Sequence, residues 1–291
     1  MPAHSNGDSD DMILALINNK GGVAKTTTAV NLAAALAVGK HRVLIIDLDS
    51  QGAAGLSLGV ARSAFSPSIA AALLHSEPLS TLIRKTNVQG LDLITGDNEL
   101  ARFDAALGTL DAKEHRLKNA LEAIRGNYDH IVIDCPPSLS LLSLNALIAS
   151  DAYLVPVTPH VLTISGLVSL IEEVNKLCDR NGGDVAELLG FLLTMVDYRN
   201  GTTTTLVEAM RASWKDHVLK TEIRINVKLA EAPSVGRTIF EHAPKSSGAQ
   251  TYKALAREVV QRWKEFQQPA TQETPSTPVD TKTEAIAERR D

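Results

Sequence analysis

The sequence predicts an α/β fold, a mostly parallel, twisted β-sheet with helices on both faces. Three observations predict it. Short, continuous apolar runs, which read as strands buried on both sides, alternate with longer helical patterns. Aromatic residues make up only 4% of the 291 residues, while Ala, Leu, Val and Ile are common, which suits helices packed on a parallel sheet. The chemistry-bearing residues fall just after the strands, where open α/β sheets place their ligands.

The first strand is expected over Met12–Ile17 and leads into a Gly-containing loop. Thr26–Val38 is rich in Ala and Leu and reads as a helix, with Gly39 closing it at the C′ position. Val43–Ile46 reads as a second strand ending at Asp47, and Ile131–Ile133 as a third ending at Asp134. Ala152–Val157 and Leu188–Met195 read as a fourth and a fifth. Helical patterns cover Leu139–Ala149, with Ser138 as the expected cap, and Leu162–Leu177. Tyr252–Phe266 has apolar residues at 255, 259, 263 and 266, the spacing of a helix docked on the body. Residues 1–11 and the Pro/Thr-rich stretch 268–291 are expected to be disordered tails around one body, 12–267.

Composition bounds the function. With 44% hydrophobic and 22% charged residues, the chain is ordinary globular material. Cys135 and Cys178 match no metal or redox spacing, so a reducing, cytoplasmic compartment is expected. No apolar run approaches the roughly 20 residues of a membrane span. A polar, acidic start is not a secretory signal. The net charge of −5 argues against a general nucleic-acid binder. From Arg211 to Lys264, however, eleven Lys/Arg face five Asp/Glu, enough for a local basic face. The eight histidines show no ligand spacing.

Asn18-Asn19-Lys20-Gly21-Gly22-Val23-Ala24-Lys25-Thr26-Thr27-Thr28 lies between strand and helix, where a phosphate loop belongs. Small residues let backbone N–H groups turn toward an anion, and the helix start adds the positive end of its dipole. Lys25 can then reach the β- and γ-phosphates, and the Thr26 hydroxyl can ligate Mg²⁺. The strict pattern G-x-x-x-x-G-K-[ST] fails, since Asn19 and Ala24 occupy its two glycine positions. If position 24 needs a positive φ, Ala24 carries a strain of about 1 kcal/mol there.

The run from Lys20 to Ala33 resembles the deviant Walker A motif of the ParA/MinD group of P-loop NTPases. The resemblance implies a nucleotide site made of Lys20, Gly21, Gly22, Val23, Ala24, Lys25, Thr26 and Thr27, with ATP and Mg²⁺ as ligands. It implies that Lys20 is a signature lysine crossing a homodimer interface to the partner's nucleotide on ATP binding. A cation supplied in that way neutralises charge developing on the phosphates.

Asp47 and Asp49, in I-I-D-L-D-S-Q-G, resemble the family's D-x-D-x-Q-G switch I segment. The family usually continues Pro-Gln-Gly-Asn where this chain has Ser50-Gln51-Gly52-Ala53. The resemblance makes Asp49 the residue that orients the attacking water and places Asp47 near the metal. Asp134 ends a buried strand before Pro136 and Pro137, the arrangement of a Walker B acid that holds Mg²⁺. The expected metal set is Thr26, Asp47 and Asp134, and the expected catalytic set is Lys20, Lys25 and Asp49.

Resemblance to the partitioning ParA branch continues to about Phe266. Asn226–Arg237 resembles the stretch N-V-[RK]-L-x-E-A-P-S-x-G-K. It implies non-specific DNA binding by Lys228 first and Arg199 second, with Arg224 and Arg237 weaker. Where family members often have Pro-Arg-Asn-Val, this chain has Arg224-Ile225-Asn226-Val227. The same residues also suit a merely solvated basic face. The function implied is an ATPase that forms an ATP-sandwich dimer and binds non-specific DNA. A ParB-like centromere-binding partner would stimulate its hydrolysis, so that chromosome or plasmid DNA is partitioned on the nucleoid. Other cargo, such as a microcompartment or chemotaxis cluster, is an alternative. So is MinD-like membrane cycling, which the Pro/Thr-rich end does not favour because it lacks bulky apolar residues. A metal-cluster reductase would need cysteines placed otherwise, and a binding module without turnover is the remaining alternative.

Overall fold

The computed structural model describes residues 11–105, 112–183 and 185–268. Apart from Asp11 and Gln268, the two expected tails lie outside the described residues. In chain order the strands and α-helices begin β1 (Met12–Leu16), α1 (Lys25–Val38), β2 (Val43–Asp47), α2 (Ala53–Ser57), α3 (Ile69–His75), β3 (Arg84–Lys85) and β4 (Leu91–Ile94). Then come α4 (Leu100–Ala105), α5 (Arg116–Glu122), β5 (His130–Asp134), α6 (Leu141–Ala149), β6 (Ala152–Val157), α7 (Val161–Arg180) and β7 (Glu187–Val196). The chain closes with α8 (Gly201–Trp214), β8 (Ile223–Arg224), α9 (Val227–Glu231), α10 (Ile239–His242) and α11 (Ser247–Gln267).

The strands form one sheet of order β3-β4-β2-β5-β1-β6-β7-β8, parallel except for the β3–β4 pair. Side chains alternate across a strand, and each inner strand feeds two cores. Ile13, Ala15 and Ile17 join Leu44 and Ile46 on one face, under α3, α5 and α6. Met12, Leu14 and Leu16 join Val43 and Ile45 on the other, under α1 and α11. β1 lies between β5 and β6, so the chain leaves it first toward β2 and later toward β6. The strand order therefore reverses at its carboxyl end, the place where open α/β sheets bind ligands.

The five expected strands are present with small shifts, and β3, β4 and β8 are additional. β3 and β8 are two residues each, too short to leave a periodic signal. Three local expectations are corrected. α1 ends with Gly39 at φ −72°, and the left-handed residue is Lys40 at φ 72°. α6 starts at Leu141 with Ser140 as its N-cap, because the two prolines hold 136–140 off the helical path; Ser138 instead accepts a hydrogen bond at its carbonyl from the Ser143 hydroxyl. The C-terminal helix begins five residues early, at Ser247, where the Ser246 side chain accepts from the Ala249 N–H.

Candidate nucleotide site

The site begins at the end of β1. The Asn18 side chain donates to the Pro156 carbonyl at 2.8 Å and accepts from the Lys20 N–H at 2.9 Å. Asn18 thus pins the loop to the end of β6. On the other flank, the buried Thr194 hydroxyl of β7 donates to the Val23 carbonyl at 3.1 Å. Gly22 and Ala24 both take left-handed conformations, φ 74° and 61°. Such alternation turns successive N–H groups toward one point, the geometry of an anion-binding nest. Ala24 therefore occupies the strained region the sequence raised as a condition.

Lys25 is buried, and its ammonium donates to the Lys20 carbonyl at 2.9 Å, so it lies back across the loop. Burial lowers its pKa, while the charges of Asp134, Cys135 and Asp49 oppose that shift. Gly21 and Gly22 are exposed and border open space, leaving the loop's mouth clear. Lys20, expected to reach a partner's nucleotide when ATP closes a dimer, rests within its own subunit here. Its side chain lies against α7, with the ammonium 3.3 Å from where a Cβ on Gly166 would sit.

Register brings the two strand-end acids together. Asp47 and Asp134 are paired residues on β2 and β5. Both are fully buried. Burial raises the Asp47 pKa well above the carboxylate range, and the Asp134 charge adds to it. Burial likewise pushes Asp134 up to about 7, with Thr26 and Lys25 pulling it back. The two carboxylates differ in what they bind. Asp47 accepts the Asp49 N–H at 3.0 Å on one oxygen and the Ala54 N–H at 2.9 Å on the other. Both Asp134 oxygens are buried; the Thr26 side chain stands near enough to pull on the carboxylate, but neither oxygen has a partner within hydrogen-bond geometry among the described residues. A buried carboxylate left so is costly unless a cation meets it. Asp134 with Thr26 therefore fits Mg²⁺, whereas Asp47 is already engaged in shaping its own loop. Asp49 is half-buried, accepts the Gln51 N–H at 2.9 Å and stands at the rim, able to meet water.

The four basic candidates follow β7 in the chain: Arg199 just past it, Arg224 in β8, Lys228 in α9 and Arg237 after the 3₁₀ turn that continues α9. Arg224 stacks over the Tyr198 ring at 5.0 Å. Arg199 pairs with Asp197 at 2.7 Å and Lys228 with Glu231 at 2.8 Å. Arg237 is exposed at the end of the Asn226–Arg237 segment. The structure brings Arg224 against Tyr198, the neighbour of Arg199, while Lys228 lies in α9 and Arg237 beyond it. The residues that sequence reasoning missed are Asn18, Thr194 and Asn31. Their signal is a polar side chain at a buried position beside the loop, and only burial reveals it.

Comparison with known proteins agrees with this geometry. A family model described as an AAA domain matches residues 11–186. The chain is 41% identical over 247 residues to the sporulation initiation inhibitor protein Soj of Bacillus subtilis, covering 85% of this chain and 97% of that one. It is 38% identical over 257 residues to the chromosome partitioning protein ParA of Caulobacter vibrioides, covering 88% and 96%. Among solved structures it resembles a cobyrinic acid a,c-diamide synthase from Mycobacterium smegmatis with bound ATP analog and magnesium. That match has a TM-score of 0.76 and 31% identity, covering 88% of this chain and 97% of the other. The strand-end loop, the buried acids and the extent of these matches lead to one statement: the chain belongs to the Soj/ParA family of P-loop ATPases.

Proposed function

We propose that this ATPase is a partition switch. ATP closes a homodimer, the dimer holds non-specific DNA on the nucleoid, and a ParB-like centromere-binding partner stimulates hydrolysis and release. One observation carries the reading. The Asn226–Arg237 segment, which bears Lys228 and Arg237, packs on α2 and leads straight into α10, which is tied to α1; α1 and α2 are the two helices that grow from the nucleotide site. Lys228 and Arg237 therefore stand on a segment in contact with helices that begin at the nucleotide site, which supports the reading.

Within this reading Lys25 and the N–H groups of residues 21–27 bind the phosphates. Thr26 and Asp134 hold Mg²⁺, which supplies charge neutralisation on the phosphate oxygens. Asp47 keeps the Asp49–Ala54 turn in shape, and Asp49 orients the attacking water. Lys20 leaves its rest against α7 and reaches the partner's nucleotide. Lys228 and Arg199 meet the DNA backbone, with Arg224 and Arg237 in support, and this binding is electrostatic and salt-sensitive. No described helix is long and apolar enough to cross a membrane.

The test is DNA retardation with ATP, ADP and no nucleotide, at low and moderate salt. The reading requires ATP-specific, salt-sensitive, sequence-independent binding. Hydrolysis without DNA binding in any state would leave the ATPase and overturn the partition role.

A further inference from the structure

Two glycines far apart in sequence meet backbone to backbone. Gly59 follows α2, and Gly236 closes the 3₁₀ turn Ala232–Val235 that continues α9. Both have positive φ, +83° and +62°. A Cβ on Gly236 would sit 2.7 Å from the Gly59 Cα, and one on Gly59 would sit 3.0 Å from the Gly236 carbonyl oxygen. No side chain lies between the two segments to absorb movement.

At the other end of α2 stands Asp47. Its two oxygens hold the Asp49 and Ala54 N–H groups, so the start of α2 hangs from a carboxylate that faces the nucleotide site. Any cation or phosphate that draws on Asp47 competes with those two bonds and changes how α2 is held. Helix α2 is a single short helix, and Leu58 and Gly59 bond back to it through the Ala54 and Leu56 carbonyls. Close-packed backbone is stiff, so a shift at Gly59 carries to Gly236. From there α9 and its 3₁₀ turn run on without a break, carrying Lys228 at one end and Arg237 at the other. The far side of the segment is anchored to α1: the Ile239 N–H donates to the Asn31 side chain at 2.8 Å, and the Thr28 hydroxyl meets the Tyr252 hydroxyl at 3.4 Å. The segment thus has a fixed side on the phosphate-loop helix and a driven side on α2.

We infer that the Gly59–Gly236 contact is the joint through which nucleotide state at Asp47 repositions the basic segment Lys228–Arg237. The inference rests on the reading of ATP-dependent DNA binding and names its regulation.

The test is amide hydrogen exchange on the full chain with no ligand, with Mg·ADP and with Mg·ATP. The windows followed are residues 52–60 and 226–238. In the wild type both windows change on adding Mg·ATP. In Gly59→Ala the first window still responds, the second does not, and the ATP-to-ADP ratio of DNA affinity falls about tenfold, within the usual range of coupling between sites. A response of 226–238 in Gly59→Ala equal to wild type overturns the joint. So does a wild-type window 226–238 that ignores nucleotide. If Gly59→Ala does not fold, the wild type suffices. Coupling is reciprocal, so where duplex DNA binds it must change exchange over 52–60, and silence there with DNA bound overturns the inference. If the wild type binds no DNA while both windows answer to Mg·ATP, the partition reading fails and the joint stands.

Discussion

Asn31 and Ile239, 208 positions apart, share a buried hydrogen bond of 2.8 Å between the Asn31 side-chain oxygen and the Ile239 N–H. The Asn31 amide also donates to the Thr27 carbonyl at 2.8 Å, so one side chain joins the phosphate-loop helix to the start of α10. Removing it orphans a buried backbone donor. Asn31→Ala is expected to lose about 1–3 kcal/mol of stability. Thermal unfolding checks this, and an unchanged midpoint would show that α10 is held by packing alone.

Ala24 holds φ 61° with no glycine to relieve it. Ala24→Gly removes strain on the order of 1 kcal/mol and adds unfolded-state entropy worth somewhat less, about 0.4–1 kcal/mol. A small net gain in unfolding midpoint is expected, with nucleotide affinity retained. A clear loss in midpoint would mean that the Ala24 methyl makes packing contacts that outweigh the strain.

The two lysines of the loop separate by role. Lys25→Ala is expected to abolish nucleotide binding in titration calorimetry, because the proposed reading puts its buried ammonium on the phosphates. Lys20→Gln is expected to keep ATP binding and lose the ATP-dependent dimer in sedimentation. If Lys20→Gln also lost nucleotide, its role would lie within its own subunit.

Lys228 is paired with Glu231, which also meets His242 at 3.2 Å. A phosphate must displace that carboxylate. Lys228→Ala is expected to weaken DNA binding equally across sequences and reduce the salt slope by about 1. Glu231→Gln is expected to strengthen binding. Measured affinities over a salt series decide it, and a sequence-dependent loss would point to base contact instead.

Glu258 of α11 is largely buried. Burial works to raise its pKa, but hydrogen bonds from Thr221 and Lys220 and the charge of Arg262 prevail, and the net shift is downward from 4.5. A carboxylate with a depressed folded pKa binds fewer protons folded than unfolded below pH 4.5. Its stabilisation is present above pH 4.5 and is lost as pH falls through the lower folded value. Glu258→Gln is expected to be less stable at neutral pH and to show a shallower acid loss over that window. Denaturant melts from pH 6 to pH 3 measure both.

Much of the fold and site was legible before the structure. Strand β1, the loop, α1 and Asp134 carry local signals, since continuous apolar runs, small residues and terminal acids need no partner to be recognised. β3 and β8 were not legible, because two-residue strands exist only through the strand they pair with. The Gly39–Lys40 exchange and the Ser140 cap depend on where the chain must go next, which periodicity does not record. Asn18 and Thr194 look ordinary in sequence and become positioning groups only when Pro156 and Val23 are brought to them.

The sequence by itself determined the class of chemistry. A strand, a small-residue loop with Lys25 and Thr26, and acids at strand ends suffice for a phosphate site, because each is a local arrangement of backbone and side chain. Tertiary structure alone decided how those parts are connected. The pairing of Asp47 with Asp134 follows from the register of β2 on β5, and the meeting of Gly59 with Gly236 from the packing of α2 on the C-terminal segment. Neither leaves a trace in the order of residues, because long-range contact is set by how the whole sheet and its two cores close.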